Sequence, residues 1–375
     1  MVPKMPQTPN TPNTPNTMKA VVYLEPGVLE LRSVPVPVPG PGDILVRIRA
    51  ALTCGTDVKT YRRGHPKIPP PTLFGHEFAG DIVAVGDSVR GFEPGMRIVA
   101  GNSAPCNTCF YCKQGQQNLC DDLLVNLGAF AEYIRVPDRI VQQNTFQIPD
   151  SLPYQHAALM EPLACVVHGQ SLVRIEPGET VIIIGAGGPI GLMHLQLALR
   201  QGAAQVVAVD LSDERLAVAE RLGASVVINP KNDDPVAAVR RLTAGRGADV
   251  AIECAGAKAA WLSAVEAVRK GGRVLWFGGL PSGTQVEVDA VRVHYDELTL
   301  IGPYHLAPRD CYRALCLLEA GVIDADALIT CELPLERLQD ALQMMMDGRC
   351  IKTAIIPGGS KEGATHFRSA LHLRD

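Results

Sequence analysis

Four cysteines, Cys106, Cys109, Cys112 and Cys120, fall within fifteen residues in the spacing C-x2-C-x2-C-x7-C. Thiolates this close can surround one tetrahedral zinc ion with sulfur ligands at about 2.3 Å, a closed site with no position left for substrate. An iron–sulfur cluster or a redox C-x-x-C pair would use the same residue type. The polar surroundings, without further cofactor signals, favour structural zinc. Other candidate ligands are scattered. Cys54 lies in A-L-T-C-G-T-D, His76 and Glu77 in F-G-H-E-F, and Glu161 in L-M-E-P-L-A-C. One thiolate, one imidazole and one or two carboxylates can hold zinc with a position left open. Spacing does not single these residues out: a lone Cys is more often a small buried hydrophobe and a lone His a hydrogen-bonded spacer.

A third feature is the run Gly185-Ala-Gly-Gly-Pro-Ile-Gly191. Small residues between a strand and a helix let backbone N–H groups approach a pyrophosphate. Gly185, Gly187, Gly188, Pro189, Ile190 and Gly191 are the candidate cradle. Asp210 ends the next strand-like run, 19 residues past Gly191. A carboxylate there accepts the ribose hydroxyls of NAD and repels the 2′-phosphate of NADP. A purely structural strand–turn–helix corner would use the same glycines. Counted from Gly185 the glycines run G-x-G-x-x-x-G, one residue longer than the dinucleotide fingerprint.

The elements that must position these residues divide the chain. Residues 1–17 repeat Thr-Pro-Asn and read as a disordered tail. From 18 to 163, short β-type runs such as Ile44-Leu-Val-Arg-Ile-Arg and Gly80-Asp-Ile-Val-Ala-Val are broken by Pro and Gly clusters, the pattern of a barrel-like or sandwich unit. From 164 to 304 the pattern becomes α/β. Apolar runs starting near Thr180, Gln205, Ser225, Asp249, Arg273 and Leu298 alternate with helical stretches. Ser212 is placed to cap a helix over 213–222, and Gly223 to end it. Six strands with crossovers predict a doubly wound parallel sheet. Residues 305–375 are expected to return to the first domain and end in a loose extension.

Apolar residues make up 47% of the 375, enough for a sizeable core, and charged residues 20%. A net charge of −4 argues against nucleic acid as a partner. No apolar run reaches the length of a spanning helix, so no membrane role is expected. No secretory pattern opens the chain, and a cytoplasmic location is expected.

In combination, CGTD, GHEFAGDIVAVG, the four-cysteine lobe, MEPLA, GAGGPIG and the Asp210 strand resemble the zinc-dependent medium-chain alcohol dehydrogenases, in the sorbitol (polyol) and threonine dehydrogenase branch. The resemblance covers about residues 18–357. It implies a GroES-like β-rich catalytic domain, interrupted by a Rossmann domain and completed by the C-terminal segment. It further implies two zinc ions, NAD, a small-molecule substrate and a homodimer or homotetramer. Cys54, His76 and Glu161 match the catalytic zinc ligands, and Glu77 a carboxylate that ligates or flanks that zinc. Cys106, Cys109, Cys112 and Cys120 match the structural lobe, and Thr56 the hydroxyl that relays the substrate proton. Lys59 stands where polyol relatives often have a histidine at the relay's outlet. The pair Glu161-Pro162 is the polyol form, where many threonine enzymes have Asp-Pro.

The implied reaction is oxidation of a secondary hydroxyl in a polyol, sugar or cyclitol by NAD. An L-threonine-type amino-alcohol dehydrogenase is the alternative within enzymes. A non-catalytic zinc- and dinucleotide-binding sensor is the alternative outside them, and a complete open ligand set argues against it. Counting Cys54, Glu77 and Glu161 as three negative charges on one zinc, the site should disfavour a carboxylate next to the reacting hydroxyl. It should suit neutral diols or aminated cyclitols. Tyr304 and His305 are candidates for the pocket. His168 reads as packing, His194 as facing outward, and Cys165, Cys254, Cys311, Cys316, Cys331 and Cys350 as buried thiols. Met344-Met-Met346 reads as core filling.

Overall fold

The computed structural model describes residues 14–358. Residues 1–13 of the expected tail and the extension after residue 358 lie outside the described residues. Thr17, expected in the tail, instead opens the strand Thr17–Glu25, which pairs antiparallel with Val28–Pro35. The chain forms two compact units. Among the described residues, one comprises 14–113, Cys120–Glu161 and 331–358; the other comprises Gln114–Leu119 and Pro162–Thr330.

In the first unit, the strand Ile44–Leu52 has neighbours on both sides. It pairs antiparallel with Glu77–Val85, with Tyr133–Val136 and with the late strand Lys352–Ile356. The sequence alternates as a half-buried sheet requires: in Ile44–Leu52 only Arg47 and Arg49 are exposed. Tyr23, Phe74, Phe78 and Phe130, with Ile44, Ile48, Ile82 and Ile98, fill the core beneath the sheet. Cys54 follows the C-terminal end of this central strand, and Glu77 begins its neighbour directly opposite Leu52. Residues far apart in sequence therefore meet at one end of the sheet.

The second unit is a six-stranded parallel sheet. In spatial order its strands are Val226–Ile228, Gln205–Val209, Thr180–Ile184, Ala248–Glu253, Val268–Trp276 and Thr299–Ile301. The order reverses direction between Thr180–Ile184 and Ala248–Glu253, the switch point at which such sheets bind ligands. Val181, Ile182 and Ile183 are fully buried, as strands covered on both faces must be. The helix Asp213–Arg221 forms as expected, with Ser212 Oγ accepting the Arg215 N–H at 3.3 Å.

The second unit continues past residue 304 to Thr330. Two polar contacts, one buried and one partly buried, hold this stretch. Asp310 accepts the Ala307 N–H at 2.9 Å and lies 3.1 Å from Nδ1 of buried His168. The Asp324 N–H donates to Gln196 Oε1 at 2.7 Å. At the other boundary, the first unit ends at Glu161 rather than residue 163. Cys316 is exposed on the helix Pro308–Glu319, whereas Cys311, Cys331 and Cys350 are buried. No helix among the described residues is long and apolar enough to cross a membrane.

His194 does not face outward. The helix Pro189–Arg200 is buried at every position from Gly191 to Ala198, so it has no solvent face there for an amphipathic reading to find. The His194 ring meets Phe277 edge-on at 4.8 Å, and its Nδ1 lies 3.1 Å from Gln170 Nε2. Nε2 is buried without a partner among the described residues. Burial lowers the His194 pKa to about 3. The unfolded chain, with an ordinary imidazole near pH 6.5, takes up a proton that the folded state refuses. Stability present above that pH is therefore lost as pH falls toward the folded value. The contribution is on the order of 4 kcal/mol. Thermal unfolding of the wild type should worsen from pH 7 to pH 4.5 more steeply than that of His194→Leu; parallel pH profiles would exclude this account.

Candidate functional site

Cys54 occupies the N-cap of the helix Gly55–Arg63. Its backbone N–H donates to Asp57 Oδ2 at 2.8 Å, and Asp57 Oδ1 lies 3.3 Å from His76 Nδ1. One fully buried carboxylate thus fixes two candidate ligands. With Nδ1 turned to Asp57, the other ring nitrogen of His76 is left for a metal. Burial alone would lower the His76 pKa, but Asp57 and Cys54 together outweigh it and hold the imidazole well above its ordinary range.

Glu77 is wholly buried, and Lys352 is paired with it. Lys352 Nζ lies 2.6 Å from Glu77 Oε2 and 3.0 Å from Oε1, and donates to the Thr53 carbonyl at 2.7 Å. The lysine begins the strand Lys352–Ile356 and is 1% exposed. Burial would strip its proton, but Glu77 and then Cys54 hold its pKa up. Burial likewise raises Glu77, opposed first by Lys352 and then by His76. Counting charge from the ligands alone therefore overstates the site's negative field: Lys352 cancels Glu77.

The donor atoms of Cys54, His76 and Glu77 lie within 4.8 Å of one another. Glu161, in the first turn of the helix Met160–Val173, is buried near this cluster but is not one of the three that converge. Burial raises its pKa; His76 and Lys352 oppose that rise, and Asn102 hydrogen-bonds it. A soft thiolate, an imidazole and buried carboxylates around one point fit zinc with an open position. Thr56 is half-buried in the helix turn that Cys54 caps.

The four cysteines of the lobe also converge within 4.8 Å. Cys106 and Cys112 Sγ are 4.0 Å apart and Cys109 and Cys120 Sγ 3.9 Å. The edge of a tetrahedron of sulfurs around zinc is about 3.8 Å for bonds of about 2.3 Å, so the lobe fits that ion closely. The Thr108 hydroxyl at 3.4 Å and the Cys109 N–H at 3.3 Å donate to Cys106 Sγ. With the Thr108 N–H they lower its pKa to about 6.

In the second unit, the Gly185–Gly191 turn joins the strand Thr180–Ile184 to the helix Pro189–Arg200. Gly185 has φ +81°, and a Cβ there would lie 2.8 Å from Ala255 N; one on Gly191 would lie 2.4 Å from Gly185 O. These two positions require glycine. Gly188 is the N-cap, followed by Pro189, which has no N–H to offer. The first-turn N–H groups available to an anion are therefore those of Ile190 and Gly191. Asp210 accepts the Gly187 N–H at 3.0 Å and the Ser212 N–H at 3.1 Å, which aligns its carboxylate with the glycine turn. Tyr304 and His305 follow the strand Thr299–Ile301, with His305 at φ +60°.

Sequence reasoning missed Asp57 and Lys352. Asp57 had a signal, because an acid three residues after an N-cap position closes a capping box. Lys352 had none: its partner is 275 residues away.

A family model of the alcohol dehydrogenase GroES-like domain matches residues 40–150, and one of zinc-binding dehydrogenases matches residues 189–320. The chain is 34% identical over 351 residues to sorbitol dehydrogenase of Bacillus subtilis, covering 91% of this chain and 97% of that protein. It is 36% identical over 351 residues to L-threonine 3-dehydrogenase of Symbiobacterium thermophilum, covering 91% and 98%. Among solved structures, a Sinorhizobium meliloti protein assigned as a zinc-binding dehydrogenase, with NADP bound, superimposes with a TM-score of 0.85 at 35% identity. That match covers 91% of this chain and 99% of the other.

Replacing Lys352 by Met removes the main group that holds down the pKa of Glu77, already raised to about 7 by burial, so the variant should be destabilised most above neutral pH, where the buried carboxylate would be charged without its partner. The defect should shrink as pH falls, because protonating Glu77 removes the charge that lacks a partner. Glu77→Gln combined with Lys352→Met should recover most of the loss. Urea unfolding of the three variants between pH 5 and pH 8 checks this; a double variant no more stable than the single one would refute it.

Proposed function

The chain belongs to the zinc-dependent medium-chain alcohol dehydrogenases, in the sorbitol and threonine dehydrogenase branch, and from that premise we propose that it oxidises a secondary hydroxyl of a polyol, sugar or cyclitol with NAD. The observation that carries this reading is the convergence of Cys54, His76 and Glu77 on one buried point, with the hydroxyl of Thr56 in the adjoining helix turn.

In this reading Cys54, His76 and Glu161 hold the catalytic zinc. Glu77 flanks it, engaged by Lys352 through both oxygens. Bound zinc supplies acidification of a coordinated hydroxyl, and bound NAD supplies the hydride acceptor. The protein's own groups do the rest. Asp57 keeps the His76 ring in one orientation and tautomer. Thr56 accepts the substrate's proton by hydrogen bonding and passes it on, with Lys59 rather than histidine one helix turn further along. The Ile190 and Gly191 N–H groups bind the pyrophosphate, and Asp210 binds the adenosine ribose. Cys106, Cys109, Cys112 and Cys120 hold a second, structural zinc. The enzyme acts as a homodimer or homotetramer in the cytoplasm.

A threonine-type reading has its own support in the Symbiobacterium relative. With Glu77 neutralised by Lys352, charge at the metal argues less strongly against an amino acid substrate. The Glu161-Pro162 pair still favours the polyol form.

Metal analysis should find two zinc ions per chain, one for each ligand set. Cys109→Ser should lose one of them and lower the melting temperature, because a closed zinc site contributes folding free energy. Cys54→Ser should lose the other and abolish turnover with little change in melting. Iron in the lobe, or a single zinc in the wild type, would contradict the assignment.

Substrate and cofactor choice are tested together by kcat/KM for polyols, cyclitols, aminocyclitols, L-threonine and ethanol, each with NAD and with NADP. Secondary hydroxyls of polyols or cyclitols with NAD should come out best. Asp210→Gly should narrow the NAD preference by removing repulsion of the 2′-phosphate. Threonine clearly ahead would establish the amino-alcohol reading instead. Equal use of NADP by the wild type would remove the role given to Asp210.

A further inference from the structure

The helix Gly55–Arg63 and the turn after it form a strongly basic stretch. Between Gly55 and Ile68 the chain carries Lys59, Arg62, Arg63, His65 and Lys67 against one acid, Asp57, although its net charge is −4. Asp57 is fully buried and engaged by His76 and the Cys54 N–H, so it neutralises none of the exposed cations. Among the described residues, Lys59, Arg62 and Arg63 have no ion-pair partner.

The helix arranges these charges. At 3.6 residues per turn, Thr56, Lys59 and Arg63 fall on one stripe about 60° wide, and Arg62 falls outside it. Asp57 and Thr60 are the residues the helix buries; Thr56 borders that face, and Arg63 and then Lys59 lie further round on the exposed side. A rise of 1.5 Å per residue sets Lys59 about 5 Å and Arg63 about 10 Å along the axis from Thr56. Those spans are comparable with a short polyol chain.

After Gly64 the chain turns back, with a bridge between His65 and Ile68 and the Lys67 N–H donating to His65 Nδ1 at 3.2 Å. Burial, and then the positive fields of Lys67, His76, Lys59 and Arg63, hold the His65 imidazole below its ordinary range. The cations therefore crowd one place. Favourable interaction with the helix dipole explains basic residues in the last turn, Arg62 and Arg63. It does not explain Lys59 in mid-helix or Lys67 beyond the helix.

We propose that Lys59 and Arg63, with Lys67 beside them, receive an anionic substituent, a phosphate monoester or a carboxylate, at the end of the substrate remote from the reacting hydroxyl. This rests on the polyol-dehydrogenase reading and narrows its substrate class. Pairing of Glu77 with Lys352 removes one negative charge that would otherwise oppose such a substrate. Arginine suits the two oxygens of either anion, and lysine supplies a point charge.

The test uses the full, zinc-loaded chain and NAD, with a hexitol, its terminal phosphate and the corresponding aldonate. At least one anionic form should exceed the neutral hexitol in kcat/KM by about tenfold or more, mainly through KM, and the advantage should shrink with added salt. Which anion leads identifies the substituent. In Lys59→Gln/Arg63→Gln the anionic-to-neutral ratio should fall by about 10- to 100-fold, the range for one or two hydrogen bonds to a charged group. Arg62→Gln, off the stripe, should leave the ratio unchanged. A neutral hexitol equal to or better than both anions, or a ratio untouched in the double variant, would overturn the proposal. Calorimetric binding of the hexitol phosphate decides it independently of turnover: no binding, or equal binding to the double variant, also overturns it. If no substrate reduces NAD, the polyol reading fails, and calorimetry still decides whether this anion site exists.

Discussion

The buried pair of Lys352 and Glu77 is the constraint around which the metal-facing end of the first unit is built. It joins the first residue of the last strand to the first residue of Glu77–Val85, and through the Thr53 carbonyl to the loop that delivers Cys54. Lys352 lies 299 residues from Thr53 and 275 from Glu77, so distant stretches must be in register before either charge has a partner. Two charges fully removed from water are costly unless geometry and further hydrogen bonds compensate. Here both carboxylate oxygens face the ammonium, and the ammonium has a carbonyl besides. The pair is weak as a source of stability and strong as a demand on register, because a slip of one residue would turn Lys352 out of the core.

The same logic operates around Asp57. Its two oxygens serve a backbone N–H and an imidazole, so the helix start and the histidine are fixed by one side chain. The two buried pairs bring opposite charges to the edges of the ligand cluster: an anion behind His76 and a cation behind Glu77. The first makes the imidazole a better donor, and the second restrains a carboxylate that would otherwise compete for the metal with full charge. The field at the reacting centre is thus set as much by residues that touch no substrate as by the ligands.

What was legible in the sequence follows from the range over which each constraint acts. The parallel sheet was legible because apolar runs, a helix cap at Ser212 and a steric need for glycine at Gly185 and Gly191 are local. The four-cysteine lobe was legible because its donors fall within fifteen residues. Cys54, His76 and Glu161 came only through resemblance, since nothing local marks them. Lys352 escaped both routes: a lone lysine before an apolar strand reads as a solvated strand end. His194 was misplaced for a related reason. Amphipathic reasoning assigns a polar residue to solvent, but a helix buried along its middle has no solvent side to assign. The stretch after residue 304 stayed with the second unit through Asp310 and Asp324, whose partners are His168 and Gln196, also invisible to local pattern.

The division between reaction and substrate follows the same line. Reaction type is set by donor atoms that must converge on one ion and by backbone that must approach a pyrophosphate, and both demands leave little freedom in residue type. In the proposed reading substrate choice is set on the exposed side of a helix, where side chains satisfy no folding constraint and can vary at little cost in stability. Thr56 and Lys59 stand three residues apart on one helix, and the proposed anion site gives Lys59 a part in the second regime besides its place beyond the relay hydroxyl. The hydroxyl is placed by the turn that Cys54 caps, and in the proposed mechanism it serves the proton whatever the substrate. The ammonium lies beyond the buried face and is under no demand from the core. A charge kept at such a position without a counterion is what the proposed anion site rests on, since the fold that carries it makes no demand for it.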